Sequence, residues 1–254
     1  MSRLSTVIIA FNEEHNLPRC LGSLKGIADE IVVVDSRSTD RTAEICASFG
    51  CRVFQREFTD YSGQKQFAVD AASNNWILSI DADEEITPEL QAEIRSFLSQ
   101  DQPDVKGVYI PRDLVYMGRR MKYGGTAGEQ ILRLFDRTSG RFDGAVIHEK
   151  IVVNGPTAVF RGKLLHYSVR DLVHHVSKIN EYTQRVAEEN VRKGKKYPRI
   201  WVPLKFMTSF ITYYILKGGI LDGYPGFVWA FLGSFYASLK IMKTIELNKT
   251  SSGA

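Results

Sequence analysis

Cysteine is scarce in this chain: Cys20, Cys46 and Cys51 are three in 254 residues, an odd number with no C-x-x-C spacing. That excludes a disulfide scaffold, suits a reducing compartment, and leaves the three thiols as small apolar side chains. Glycine-rich phosphate loops are missing too. No G-x-G-x-x-G or G-x-x-x-x-G-K-[ST] follows any apolar run, so neither a dinucleotide fingerprint nor a P-loop is present. There is no internal repeat and no low-complexity tract. Nothing like a basic n-region or a cleavable h-region precedes the apolar run Leu4–Ala10, which predicts no signal peptide and residence in the cytoplasm. Long uncharged runs are also wanting. Phe206–Leu216 holds 11 residues between Lys205 and Lys217, and Gly223–Leu239 holds 17 including Pro225, against about 20 for a membrane span.

What is present is an ordinary folded composition, 44% hydrophobic and 24% charged with a formal charge of +4. Disordered and collagenous readings are out, and the length allows one large α/β domain, or one domain with a substantial appendage. The small net charge hides an asymmetry. Residues 1–100 carry 9 Lys+Arg against 16 Asp+Glu, residues 101–160 carry 9 against 7, and residues 161–254 carry 15 against 6. An acidic front suits a metal or polar-ligand site; a basic rear suits an anionic surface. Between nucleic acid and lipid, the apolar content decides. Arg192-Lys193-Gly194-Lys195-Lys196-Tyr197-Pro198-Arg199 precedes a Phe-, Tyr-, Trp-, Ile- and Leu-rich stretch from Trp201 to Met242, which points to a membrane interface. That stretch predicts two helices broken around Gly218-Gly219 and Gly223-Tyr224-Pro225-Gly226. They lie in the headgroup region, pair with a second copy, or serve as core helices of the fold. His174 and His175, beside Asp171, read as helix-surface residues.

The front half alternates. Leu4–Ala10 is a strand, Leu17, Cys20, Leu21 and Leu24 have helical spacing, and Glu30–Val34 is a second strand ending on Asp35. Ser38-Thr39-Asp40 caps a helix Arg41–Phe49 that stops at Gly50, and Cys51–Gln55 is a third strand. Gly63–Ser73 is helical, Trp76–Ile80 is a fourth strand, and Pro88 opens a helix to about Leu98. Apolar strands alternating with helices imply a mainly parallel sheet covered on both faces, with ligands at the carboxyl ends of the strands. Asn12, Glu13, Asp35, Asp81 and Asp83 stand at those ends.

Asp81-Ala82-Asp83 is the most informative tripeptide. Two carboxylates two residues apart at a strand end are hard oxygen ligands suited to Mg²⁺ or Mn²⁺, with open positions for a diphosphate. A divalent ion there would stabilise a leaving nucleoside diphosphate.

In order and spacing, STVIIAFNEE, IVVVDSRSTD, SGQKQFAVDAA and WILSIDADE resemble the family 2 glycosyltransferases with the GT-A fold. Gly124-Gly125, Glu129-Gln130-Ile131-Leu132-Arg133-Leu134-Phe135, Val146-Ile147-His148-Glu149, Leu165-His166-Tyr167-Ser168 and Gly219-Ile220-Leu221-Asp222-Gly223 extend the likeness. These segments resemble the lipopolysaccharide-core glucosyltransferase subgroup, the WaaE/KdtX type, over nearly the whole chain. The resemblance implies a Rossmann-like α/β domain over 1–165, with a mostly parallel sheet flanked by helices. Residues 166–254 would be a basic, helical, membrane-associating extension.

It also implies a metal-dependent, inverting transfer of a hexose, glucose from UDP-glucose, to a membrane glycolipid such as the lipopolysaccharide inner core. A polyprenyl phosphate acceptor and a decayed nucleotide-binding membrane scaffold are the competing readings. By the resemblance Glu129 is the general base, where the family usually carries Asp, and a helical i, i+4 pair with Arg133 is its structural alternative. Asp83 and His148 would hold the divalent metal, and Asp81 would reach the ribose or the metal. Asp35 and the Ala10–Glu13 loop, including Asn12, would hold uracil and ribose. Lys65, Gln66 and Arg133 would contact the diphosphate or sugar, and Arg119, Arg120 and Lys122 would meet an anionic acceptor. The expected partners are a nucleotide sugar, a glycolipid, an anionic lipid surface and a second copy through the C-terminal helices, with no nucleic acid. The expected place is the cytoplasmic face of the bacterial inner membrane.

Overall fold

A computed structural model describes residues 2–100, 104–145 and 149–252. In chain order the first elements are β1 (Leu4–Ala10), α1 (Leu17–Ser23), β2 (Glu30–Asp35), α2 (Thr42–Ser48), β3 (Arg52–Gln55), α3 (Tyr61–Ala71) and β4 (Trp76–Ser79). Then come β5 (Glu84–Ile86), α4 (Pro88–Ser99), β6 (Gly107–Tyr116), β7 (Arg119–Arg120), β8 (Ala127–Asp136), β9 (Gly140–Phe142), β10 (Ile151–Val153), β11 (Thr157–Val159) and β12 (Leu164–His166). The rest is helical: α5 (Leu172–Arg192), α6 (Trp201–Phe210), a π-helical stretch Ile211–Leu216, a 3₁₀ turn Gly219–Asp222 and α7 (Gly223–Ser252). Two compact units result, Met1–Asp113 with Gly128–Tyr167, and Leu114–Ala127 with Ser168–Ala254.

In the first unit the sheet runs β3-β2-β1-β4-β8-β6-β12-β5. β3, β2, β1 and β4 are parallel, whereas β4 pairs antiparallel with β8, and β5 with β12. Period-two alternation sends successive side chains to opposite faces. Leu4, Ile8, Val33 and Leu134 meet Leu17, Leu21, Cys46, Leu90 and Ile94 of α1, α2 and α4. On the other face Val7, Val32, Val34 and Phe135 meet Ala68 and Val69 of α3. The strands are apolar along most of their length, with Ser5 and Thr6 buried near the start of β1 and Asp35 at the end of β2. Cys20 and Cys46 are buried as apolar residues.

Local signals place the helices. Asp60 accepts from the Gly63 N–H at 2.7 Å and caps α3, so that helix starts two residues earlier than its apolar pattern shows. Thr87 caps α4 just ahead of Pro88. The Glu129–Arg133 segment corrects the helical alternative, because it lies in β8.

In the second unit α7 packs between α5 and α6. Ser238 donates to the Val202 carbonyl at 3.0 Å, and Lys243 Nζ to the Asn180 carbonyl at 2.6 Å. The first break occurs where expected, Gly218 taking φ +71°. The second does not separate two helices: Gly223 begins α7, and Pro225 sits in its first turn, where its missing N–H costs nothing. A Cβ on Gly226 would stand 2.0 Å from the Gly219 carbonyl oxygen, so only glycine lets the 3₁₀ turn close on α7. No described helix is long and apolar enough to cross a membrane. His175 is buried, not on the surface, its Nδ1 2.8 Å from the Tyr116 hydroxyl and its ring stacked on Trp229. Burial, with Lys178 and His174 nearby, lowers the His175 pKa.

Candidate active site at the strand ends

The first unit gathers its polar residues where β1, β2 and β4 end. Ala10 lies opposite Asp35 in the β1–β2 register. Asp35 is fully buried and accepts from the backbone N–H and hydroxyl of Ser38. Asn12, at φ +56°, accepts from Thr39 N–H, and Glu13 N–H donates to the Thr42 hydroxyl. The two loops are thereby zipped together, bringing Ala10, Asn12, Glu13 and Asp35 to one place, with Asn12 and Glu13 outermost and Ala10 and Asp35 buried.

Beyond β4 an alternating chain of ions begins. Lys65 Nζ lies 2.9 Å from both Asp81 and Glu149. Arg133 bridges Asp81 at 2.6 Å and Glu84 at 2.7 Å. Arg112 bridges Glu84 at 3.2 Å and Glu129 at 2.7 Å. Glu84 is wholly buried and also accepts the Asp81 backbone N–H. Burial alone would raise the Asp81 carboxyl pKa. The Arg133 guanidinium and the Lys65 ammonium outweigh it and hold that pKa far below the usual carboxylate range. Arg133 Nε, buried, has no hydrogen-bond partner among the described residues. One donor of the cluster is thus left unsatisfied inside the fold.

Asp83 stands apart from this chain. Its carboxylate lies 3.2 Å from His166 Nε2, and its carbonyl accepts the Tyr167 N–H at 2.8 Å. Tyr167 in turn donates its hydroxyl to Glu85 at 2.6 Å, and Arg19 stacks over its ring at 3.4 Å. Burial, followed by Glu85, pushes the Tyr167 phenol up to about 12. This frame fixes β12 against β5 and so aims His166 at Asp83.

With both Asp81 oxygens engaged by Lys65 and Arg133, the D-x-D offers a metal one carboxylate outside the chain of ions, Asp83, 3.2 Å from an imidazole nitrogen. Among the described residues no group of three or more His, Cys, Asp or Glu is arranged to hold an ion. The pair fits an ion whose remaining positions are filled by substrate phosphates and water, and does not form an all-protein cage. In the chain of ions four carboxylates, Asp81, Glu84, Glu129 and Glu149, meet three cations, Lys65, Arg112 and Arg133.

Of the predicted site residues, Lys65, Asp81, Asp83, Glu129 and Arg133 belong to this neighbourhood. Gln66 points elsewhere, donating to Asp70 and accepting the Phe142 N–H. His148 lies outside the described residues. Arg119, Arg120 and Lys122 fall in the second unit. There the Lys122 and Tyr123 N–H groups donate to buried Asp222, at 3.2 and 2.9 Å. Sequence reasoning missed Glu84, Arg112, Glu149 and His166. Glu84 directly follows the D-x-D and His166 stands in the recognised Leu165-His166-Tyr167 segment, so a signal existed for both. Glu149 likewise stands in the recognised Val146-Ile147-His148-Glu149 segment; Arg112 carried no signal by itself.

Residues 5–154 match the family model described as Glycosyl transferase family 2. The sequence is 33% identical to the lipopolysaccharide core biosynthesis glycosyltransferase LpsC of Rhizobium meliloti, over 96% of this chain and 92% of that one. It is 31% identical to a Rickettsia typhi protein named as an uncharacterized glycosyltransferase, over 99% and 89% respectively. Among solved structures, S. aureus TarS 1-349 is 14% identical with a TM-score of 0.48, covering 98% of this chain and 92% of that one.

Proposed function

The chain belongs to glycosyl transferase family 2, and from that premise we propose that it moves glucose from UDP-glucose to a hydroxyl of a membrane glycolipid of the lipopolysaccharide inner-core class. The observation that carries this reading is the strand-end cluster, in which Lys65 and Arg133 both hold Asp81 of the D-x-D, and Asp83 lies 3.2 Å from His166 Nε2. The acceptor class is taken from the likeness to LpsC over 96% of the chain.

The reaction is a single displacement with inversion. The acceptor oxygen attacks the anomeric carbon, its proton passes to the Glu129 carboxylate, and the bond from that carbon to the β-phosphate oxygen breaks to release UDP. Glu129 is suited to the proton because its side chain is 66% exposed and Arg112 anchors one oxygen at 2.7 Å. Lys65 and Arg133 would oppose the negative charge that grows on the leaving diphosphate. Asp35 and the Ala10–Glu13 rim hold uracil and ribose. Asp83 and His166 would hold Mg²⁺ or Mn²⁺, which when bound supplies Lewis-acid stabilisation to the diphosphate. The acceptor's lipid anchor sets the place of action, the cytoplasmic face of the inner membrane. Arg119, Arg120 and Lys122 are the candidate contacts for its anionic groups.

Thermal stabilisation by UDP, GDP, CMP and dTDP, each with and without Mn²⁺, tests the donor class, since a ligand that binds only the native state raises stability with its concentration. UDP with Mn²⁺ is expected to give the largest shift. Equal shifts with every nucleotide, or none, would overturn it. Transfer assays with UDP-glucose then separate a lipopolysaccharide-core acceptor from a polyprenyl phosphate.

A further inference from the structure

The second unit carries two outward faces of opposite character. α5 presents oppositely charged side chains, with ion pairs Arg185–Glu181 and Lys193–Glu189 at 2.5 Å each. The exposed aliphatic residues Leu172, Val173 and Val176 of α5 are gathered in its first two turns. α6 and the π-helical stretch present Trp201, Leu204, Met207, Ile211 and Ile215, all exposed, at spacings of three, three, four and four. The stripe continues onto the turn through Leu216, 75% exposed, and Leu221. A contiguous row of large apolar side chains in solvent marks a docking surface.

The charges around the stripe identify what docks. From Val191 to Ile245 there are nine Lys and Arg residues and one acid, Asp222. Asp222 is buried, with its oxygens taken by the backbone N–H groups of Lys122 and Tyr123, so it neutralises nothing outside. Arg199, Lys205 and Lys217 are exposed along the stripe. The like charges are felt locally: burial, then Lys205 and Lys195, lowers the Lys240 pKa. A second copy laid against this face would bring cation against cation with no acid between them. An anionic bilayer supplies both missing complements, negative headgroups for the rim and acyl chains for the stripe.

We propose that the α6–π–turn face of the second unit lies in the plane of an anionic phospholipid bilayer. Trp201, Met207 and Ile211 sit at the headgroup–acyl boundary, and Arg199, Lys205 and Lys217 engage the phosphates. The helix lies on the membrane and does not cross it. The proposal is independent of which sugar or acceptor the first unit uses.

Co-sedimentation of the full chain with vesicles tests it. The chain is expected to pellet with phosphatidylcholine–phosphatidylglycerol vesicles and to stay in solution with phosphatidylcholine alone, with binding lost as salt is raised. Met207→Asp with Ile211→Asp, and separately Lys205→Glu with Lys217→Glu, are expected to weaken binding by at least about tenfold. Val173→Asp with Val176→Asp, on α5, is expected to leave it unchanged. Nucleotide-induced thermal shifts measured on the same variants report folding and donor binding separately, so a defect in the first unit is not mistaken for one in this face. The proposal is overturned if both α6 variants bind vesicles like the parent, or if the parent sediments as a dimer that the Asp variants dissociate while vesicle binding persists.

Discussion

The strand ends of the first unit and the helices of the second treat cations in opposite ways. Lys65, Arg112 and Arg133 each touch two carboxylates, and the acids outnumber them. Arg199, Lys205 and Lys217 face solvent in a stretch whose one acid is buried. Burial is the cause of the difference. A guanidinium out of water is tolerable only when paired and hydrogen-bonded, whereas an exposed ammonium is already solvated. Paired cations organise a site; unpaired ones remain available to something outside the molecule.

The strongest way to break that contrast is Arg133→Met. It leaves Glu84 and Asp81 without their shared partner, and the expected loss of stability is about 3–5 kcal/mol. Urea unfolding at pH 7 measures it, and a loss below about 1 kcal/mol would mean that the chain of ions does not hold the site together. Glu129→Gln attacks the exposed end of the same chain. Here kcat is expected to fall by roughly 10²–10⁴ while the melting temperature and UDP affinity stay near the parent's. A change in UDP affinity alone would move Glu129 to a binding role.

Asp81→Asn sharpens the comparison through pH. The Asp81 pKa is depressed in the folded state, so its contribution is fully present above the ordinary carboxylate pKa of about 4 and is lost as pH falls further. The difference in unfolding free energy between parent and variant, about 1.5–3 kcal/mol at pH 7, is expected to shrink below about pH 4. A gap that stays constant down to pH 2 would contradict the pairing. Lys205→Glu is the smallest change. With no partner to lose, its effect on stability in the absence of lipid is expected within about 0.5 kcal/mol, by thermal melting.

Much of the first unit was legible in local pattern. Leu4–Ala10 reads as a strand from its β-branched run and is one. Asp35, Asp81 and Asp83 stand at or just past the ends of strands, where a covered parallel sheet opens to its ligand side. Less legible was the environment of each group. His175 reads as a surface residue from its polar neighbours, yet the helix turns it onto Tyr116. A helical i, i+4 pair with Arg133 is the alternative the spacing leaves open for Glu129, yet in β8 the two side chains reach different partners, Asp81 and Glu84 for one and Arg112 for the other.

By itself the sequence determined the apolar strands, the acidic strand ends and the basic, aromatic rear, because periodicity, turn residues and charge are properties of neighbours in the chain. Tertiary structure alone decided who pairs with whom. Arg133 and Asp81 are 52 residues apart, and Lys65 and Glu149 are 84 apart. No local pattern encodes such contacts; they exist because the sheet order brings β8 beside β4, and because a buried charge must find its opposite wherever the fold has put it.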